Sequence, residues 1–327
     1  MLLDYNQKQR IPDILDCIAN LSSDEVFTPP SLANKILDIL PDEVWTNKDL
    51  KWIDAACKTG IFLREIAQRL MIGLAKEIPD ENERRKHIFQ NMLYGLPITD
   101  LTSMMSRRTL YTSKDASSEF SVVKLKEPQG NIQYTRQEHN YHSGNCTYCG
   151  IKEGIYDRGD ELENYAYQFI HNPNLLNTMK FDVIIGNPPY QISDGGFGAS
   201  ATPIYHKFVQ QAIALKPKYV SFIIPSRWFA GGKGLDEFRS QMLFDTHISH
   251  LVDYPNASDC FPGVEIKGGV SFFLWDKNHS GDCTIKSMNG DEIVSEMTRP
   301  LSSYDVFIRH NQAISILEKV EALGGVR

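Results

Sequence analysis

Residues Phe181 to Gln191 read FDVIIGNPPYQ, an apolar run that stops at Asn187-Pro188-Pro189-Tyr190. Val183, Ile184 and Ile185 are strand formers. Pro188 has no N–H to donate and pushes Asn187 out of the helical region, and Pro189 repeats the constraint. The strand therefore ends in a rigid, extended turn that offers acceptors: the Asn187 side-chain oxygen and the main-chain carbonyls. Two acceptors side by side suit an amino group conjugated to a ring or a carbonyl. Such a nitrogen is a poor nucleophile because its lone pair is delocalised. Holding both its hydrogens favours pyramidalisation and aims the lone pair at an electrophile. Tyr190 adds a ring to stack on the planar group. The plainer reading is a Pro-Pro turn that punctuates a strand. Its position at the carboxyl end of an apolar strand favours a site.

Around this stretch, strands alternate with helices. Residues 1 to 24 read as a polar helical lead-in, and Phe27-Thr28-Pro29-Pro30 precedes a helix carrying Leu32, Ile36, Leu37 and Leu40 on one stripe. A short strand at Trp52 and Ile53, the turn DAACKTGIF and an amphipathic helix with Phe62, Ile66, Leu70 and Leu74 form one strand-turn-helix unit. A second unit has a strand ending near Gly95 and a helix from Leu101 to Leu110. Residues 113–160 are polar, aromatic and glycine-rich and read as an insertion bearing Cys146 and Cys149. ELENYAYQFIH reads as a helix leading into the opening strand. A helix near Ile204 to Leu215 and the strand YVSFIIP follow. HISHLVDY and VEIKGGVSFFLWDK read as strands, the latter interrupted by Gly-Gly. This alternation predicts an α/β fold with a doubly wound, mainly parallel sheet. The expected domain covers residues 1–290, with 291–327 a separate C-terminal segment.

In an open parallel sheet, ligands collect at the carboxyl ends of strands. Asp54 in DAACKTGIF could accept from a cationic amine, and Gly60 would admit close backbone approach. Plain βα packing explains the same turn. It lacks both the GxGxxG dinucleotide fingerprint and the phosphate-binding GxxxxGK[ST] loop, which disfavours hydride transfer and nucleotide hydrolysis.

The 327 residues, 42% hydrophobic, are enough for one large or two ordinary domains with a real core. A net charge of -7 argues against a chain that coats nucleic acid non-specifically. Six scattered cysteines make no disulfide framework, the N-terminus has no apolar signal core, and no apolar run reaches the ~18 residues of a membrane span. A cytoplasmic protein without membrane partners is expected.

Taken together, these motifs resemble the amino-group DNA methyltransferases that use S-adenosylmethionine, specifically adenine-N6 enzymes of restriction-modification systems. The nearest likeness is to type IIG-like modification enzymes. The resemblance runs from about Phe27 to Trp275 and rests on the order of the motifs. It implies the S-adenosylmethionine-dependent methyltransferase fold. Phe27, Thr28 and Pro29 look like the element that packs on the methionine part of the cofactor. Asp54, Ala56 and Gly60 lie in a segment similar to the cofactor loop D-P-x-x-G-x-G, from which Ala55 and Lys58 depart. The acidic residue that usually binds the ribose is replaced by Pro97, with Asp100 three residues further on. Asn187-Pro188-Pro189-Tyr190 matches the catalytic motif fully. The match implies that Asn187 and the Pro188 carbonyl hold the adenine amino group beside the cofactor while Tyr190 stacks on a base flipped from the duplex. Phe261 resembles the aromatic residue on the base's other face, although an ordinary core phenylalanine fits equally.

Double-stranded DNA is the implied partner, with a restriction endonuclease. The chain ends at GGVR soon after the last motif, so recognition is expected from a C-terminal or separate domain, and this chain alone should bind DNA weakly and non-specifically. No PD-(D/E)xK nuclease signature is evident. Lys207, Lys216, Lys218, Arg227, Lys233 and Arg239 outnumber nearby acids, and SRWFAGGKG reads as a phosphate-contacting loop or as a solvated glycine turn. The loop Ser193 to Thr202 could close over a flipped base. Cys146-x-x-Cys149 has zinc-knuckle spacing, with His139, His142 or His171 near enough to complete a tetrahedral site, against two reduced, unliganded cysteines. Such a metal would be structural. Two other functions compete: a protein-glutamine N5 methyltransferase, which faces the same conjugated nitrogen, and a non-catalytic DNA-binding module of the same fold.

Overall fold

The computed structural model describes residues 26–153, 166–172, 176, 179–192 and 202–323. The expected lead-in helix of residues 1–24, the start of ELENYAYQFIH and most of the loop Ser193 to Thr202 lie outside these residues. The centre is an eight-stranded sheet: β1 (Trp52–Cys57), β2 (Leu93–Pro97), β3 (Val183–Gly186), β4 (Tyr219–Pro225), β5 (Ile248–Tyr254), β6 (Val270–Asp276), β7 (Cys283–Asn289) and β8 (Glu292–Arg299). Its spatial order is β8-β7-β5-β6-β4-β3-β1-β2. β1 through β4 run parallel, β6 is antiparallel to β4 and β5, β7 is parallel to β5, and β8 turns back on β7. The mainly parallel sheet is thus as expected.

β1, β3 and β4 are buried at every position, as strands covered on both faces must be. On one face, helices α1 (Pro30–Leu37), α2 (Ile61–Gly73) and α3 (Asp100–Tyr111) place Ile36, Phe62, Ile66, Leu70 and Leu110 in one apolar core. On the other, α4 (Tyr205–Ala214) and α5 (Asp236–Phe244) place Phe208, Val209, Phe238 and Met242 in a second. Phe208 is fully buried and stacks on Phe169 with centroids 5.7 Å apart; truncating such a phenylalanine costs about 3–5 kcal/mol. Pro30 opens α1, where a missing N–H is harmless.

Three features depart from expectation. VEIK is not strand: Gly268 and Gly269 take φ of 90° and 79°, so β6 begins only at Val270. A Cβ on Gly269 would lie 2.1 Å from the Tyr254 carbonyl oxygen, so the chain must turn there on glycine. The segment after Ser113, expected as an insertion, is joined to the sheet edge, which its sequence does not indicate. Asn131 accepts the Gly95 N–H through its carbonyl at 3.0 Å, and Ile132 bridges Gly95 in parallel, extending the sheet past β2. Third, β7 and β8 form a hairpin whose turn contains Gly290, so the expected division at residue 290 falls inside one pair of strands. Helix α6 (Asn311–Ala322) follows this hairpin.

From β1 the chain crosses to β2 on one side, while β3 lies on the other. The winding reverses between β1 and β3, and the crevice at their carboxyl ends is where an open α/β sheet binds ligands. Asp54–Gly60 and Asn187–Tyr190 both open there.

Candidate functional site

The turn after β3 holds Asn187 nearly sealed from solvent, at 3% exposure. Its Nδ2 donates to the Val26 carbonyl at 3.0 Å and to Thr28 Oγ1 at 3.1 Å. A carbonyl can only accept, so the amide orientation is fixed by chemistry. Asn187 Oδ1 is buried with no hydrogen-bond partner among the described residues. An orphaned buried acceptor costs about 1–3 kcal/mol, which an incoming N–H recovers. Val26 and Thr28 therefore aim the amide oxygen. Gly186 lets the strands close up: a Cβ there would sit 2.9 Å from Asp54 Oδ1.

Tyr190 packs edge-on against Phe261, with centroids 6.5 Å apart and planes at 69°. Its hydroxyl is buried without a partner among the described residues, and burial pushes the phenol well above its usual range, so it stays neutral. Two rings that sandwich a base must be roughly parallel, so Tyr190 would have to turn. Phe261, 2% exposed, is part of the core and fits the plainer reading of that residue as well as the stacking one.

Thr28, Asp54, Ala56, Gly60 and Asn187 line one small space at the carboxyl end of β1. Gly60 caps α2 with φ 78°, and a Cβ there would meet Ser106 Cα at 2.9 Å, so glycine is required twice over. Asp54 is buried, accepts the Ala56 N–H at 3.2 Å, and is pushed by desolvation up to about 7, with that N–H and the Lys58 charge pulling the other way. Phe27 and Pro29 are buried alongside. Lys58 folds inward, 6% exposed, and its Nζ donates to the Val26 carbonyl at 2.9 Å, the same oxygen that Asn187 uses. With Lys58 inside, the space among these residues is about 10 Å³, barely one water. Asp100 is elsewhere: it is exposed at the start of α3, one residue past the Thr99 cap, and does not line this space.

Next to Tyr190 lies a cavity of about 330 Å³, lined also by Val26, Tyr205, Arg227, Lys233, Glu265 and Lys267. Arg227 and Lys233 from SRWFAGGKG thus meet the acceptor motif, while Trp228 from the same stretch is wholly buried and belongs to the core. Of the other cations, Lys218 pairs with Asp182 at 3.1 Å and Arg239 with Asp236 at 3.6 Å. Lys267 was not singled out by sequence; its place beside Arg227 depends on the Gly268-Gly269 turn. Behind it, Arg309 grips buried Asp253 with two N–H groups while Ser226 Oγ donates to the same carboxylate at 2.9 Å, which ties the loop after β4 to the C-terminal part of the chain.

His139, Cys146, Cys149 and His171 come together, with their ligand atoms all within 4.8 Å of one another. His142 stands exposed in the hairpin strand Tyr141–His142 and is not among them. No helix among the described residues is long and apolar enough to cross a membrane.

The chain is 40% identical over 305 residues to an uncharacterized adenine-specific methylase of Mycoplasma pneumoniae (strain ATCC 29342 / M129 / Subtype 1), covering 84% of this chain and 72% of that one. Among solved structures, the methyltransferase subunit of a type I restriction-modification system from Streptococcus thermophilus superposes with a TM-score of 0.52 at 13% identity, over 95% of this chain and 56% of that one. The M protein of the type I restriction enzyme EcoKI gives a TM-score of 0.52 at 15% identity, over 84% and 49%. These two likenesses are of fold, and the chain spans about half the length of those structures. The model of the Eco57I restriction-modification methylases matches residues 91–261, just over half of the sequence, from β2 through the acceptor turn to Phe261. With that match and a relative aligned over most of both sequences, the chain belongs to the Eco57I restriction-modification methylase family.

Proposed function

We propose that this chain methylates the N6 amino group of an adenine flipped out of double-stranded DNA. The observation that carries the proposal is Asn187 Oδ1, a buried acceptor held at the site by two donor bonds on the other end of its amide and left for a ligand N–H. With the Pro188 carbonyl as second acceptor, both hydrogens of an exocyclic amine are held and its lone pair is aimed across the crevice. Tyr190 keeps the ring plane in place, and Arg227, Lys233 and Lys267 at the cavity mouth favour the phosphates that flank a flipped nucleotide. The donor is S-adenosylmethionine, which supplies an electrophilic methyl group. Thr28, Asp54, Ala56 and Gly60 are the residues that would hold it, and Asp54 suits a cationic amine. With the donor bound, the amine nitrogen would form a bond to the methyl carbon as the carbon–sulfur bond breaks to leave the neutral thioether S-adenosylhomocysteine, and the methylated amine would shed one proton to solvent, so Asn187 needs no basicity.

The test is incubation with tritiated S-adenosylmethionine, duplex DNA and a protein substrate in parallel, for the native chain and Asn187→Ala. Label recovered as N6-methyladenine and lost in the variant is expected. Label on protein glutamine would transfer the site to the other conjugated nitrogen, and full DNA labelling by Asn187→Ala would discard the catalytic assignment.

A further inference from the structure

We infer that His139, Cys146, Cys149 and His171 form a structural zinc site that clips the cysteine-bearing insertion onto the helical layer of the fold. Cys146 and Cys149 lie in a tight turn. The Cys146 N–H donates to the Ile151 carbonyl at 2.7 Å, the Gly150 N–H donates to the Cys146 carbonyl at 2.9 Å, and Gly150 holds φ 79°. This turn brings both sulfurs within 4.8 Å of each other and of the two imidazoles. His139 precedes the hairpin and already sets Nδ1 3.5 Å from Cys149 Sγ. In a tetrahedral site with zinc–sulfur bonds of ~2.3 Å and zinc–nitrogen bonds of ~2.0 Å, neighbouring ligand atoms stand roughly 3.3–3.8 Å apart. The present limit of 4.8 Å is closed by small side-chain movements.

His171 supplies the decisive detail. It ends the short helix Gln168–His171, and its Nδ1 faces the Tyr167 carbonyl at 3.1 Å. That carbonyl can only accept, so Nδ1 carries the proton and Nε2 the lone pair. Nε2 is buried with no hydrogen-bond partner among the described residues. An imidazole fixed by a backbone carbonyl on one nitrogen and bare on the other is how metal-binding histidines are held. Two thiolates and two neutral imidazoles also cancel the charge of a divalent ion, which a buried site requires. The sulfur and nitrogen donors in a tetrahedral arrangement select zinc over calcium or magnesium.

The clip joins the hairpin to a helix that carries Phe169, which stacks on Phe208 of α4. Its role is to fasten the insertion, and none of its ligands lines the cavity beside Tyr190.

The full chain, produced in zinc-supplemented medium and purified under reducing conditions, should carry about one zinc per chain by mass spectrometry of the metal. Stripped protein titrated with cobalt should give the intense visible bands of a tetrahedral ion and a thiolate-to-cobalt charge-transfer band. Cys149→Ser and His171→Ala should lower zinc affinity by more than the ~10- to 100-fold typical of losing a supporting partner, while His142→Ala retains it. Background zinc in the native chain, a weak octahedral cobalt spectrum, a Cys146–Cys149 disulfide in the reduced preparation, or equal loss in His142→Ala would each overturn the site. The cobalt spectrum of the native chain decides the matter even where a variant fails to fold.

Discussion

Lys58 lines the small space at the carboxyl end of β1, and if that space takes S-adenosylmethionine as proposed, removing the side chain should open it. Its Nζ donates to the Val26 carbonyl at 2.9 Å and the side chain is buried, leaving about 10 Å³ among the residues that would hold the donor. A ligand that needs that space must break a hydrogen bond made by a charged group, worth about 1.5–3 kcal/mol net. At 1.4 kcal/mol per tenfold, Lys58→Gly should tighten S-adenosylmethionine binding by about 10- to 100-fold. The carbonyl is not orphaned by the change, because Asn187 Nδ2 still donates to it. Lys58→Ala should tighten binding by a similar factor, which separates loss of the side chain from added backbone freedom. The assay is isothermal titration with S-adenosylmethionine, repeated with S-adenosylhomocysteine. Unchanged or weaker binding in both variants would refute the reasoning and make Lys58 a ligand contact instead of an obstruction.

Further outcomes follow from the same crevice. Asp54 is held at about 7 by burial; a cationic amine favours its carboxylate, so S-adenosylmethionine affinity by titration should rise from about pH 6 to pH 8, and Asp54→Asn should flatten that rise. Stability has the opposite sign: an unfolded carboxyl ionises near 3.8 and the folded one near 7, so between those values the unfolded state binds fewer protons and the protein loses stability as pH rises, which denaturant titrations of native and Asp54→Asn chains would reveal. Tyr190→Phe removes a hydroxyl without a hydrogen-bond partner among the described residues and should keep activity, whereas Tyr190→Ala should lose the ~1–3 kcal/mol of base stacking, about 5- to 150-fold in kcat/KM. Arg227→Ala and Lys233→Ala should each reduce the slope of log affinity against log salt for duplex DNA by ~0.9, equally for unrelated sequences; a loss confined to one sequence would mark base contacts instead.

The central sheet and the acceptor turn were legible because they are set by local rules. Proline at 188 and 189 constrains the turn after β3 locally, and short runs rich in β-branched and aromatic residues such as YVSFIIP, bounded by proline, read as buried strands. The hairpin of β7 and β8 was missed although Asn289-Gly290 between CTIKSM and DEIVSEMTR carries a turn signal. Its residues alternate weakly because β8 is an exposed edge, so periodicity is diluted where one face meets water. Asp100 follows β2 by only two intervening residues, but Thr99 caps α3 there and Asp100 stands exposed in its first turn, away from the space that Asp54 lines. Lys267 and His171 show the opposite limit. Lys267 meets Arg227 only through packing, while for His171 the sequence offers it beside His139 and His142 as a partner of Cys146 and Cys149, and packing selects His139 and His171.

The Val26 carbonyl links the two halves of the site. It accepts from Asn187, whose amide oxygen is thereby aimed, and from Lys58, which lines the small space beside it. When Lys58 leaves, the Asn187 bond loses a competitor for the same oxygen and should shorten, so opening the donor side should firm the acceptor side. Thr28 Oγ1 holds the other amide hydrogen at 3.1 Å independently of Lys58, and this second bond keeps the amide from rotating while the carbonyl changes partners. The sequence elements therefore divide their tasks by stiffness. On the proposed reading, the Pro-Pro turn would fix the main-chain acceptor, Val26 and Thr28 the side-chain acceptor, and Lys58, a long and flexible side chain, would be the group that moves.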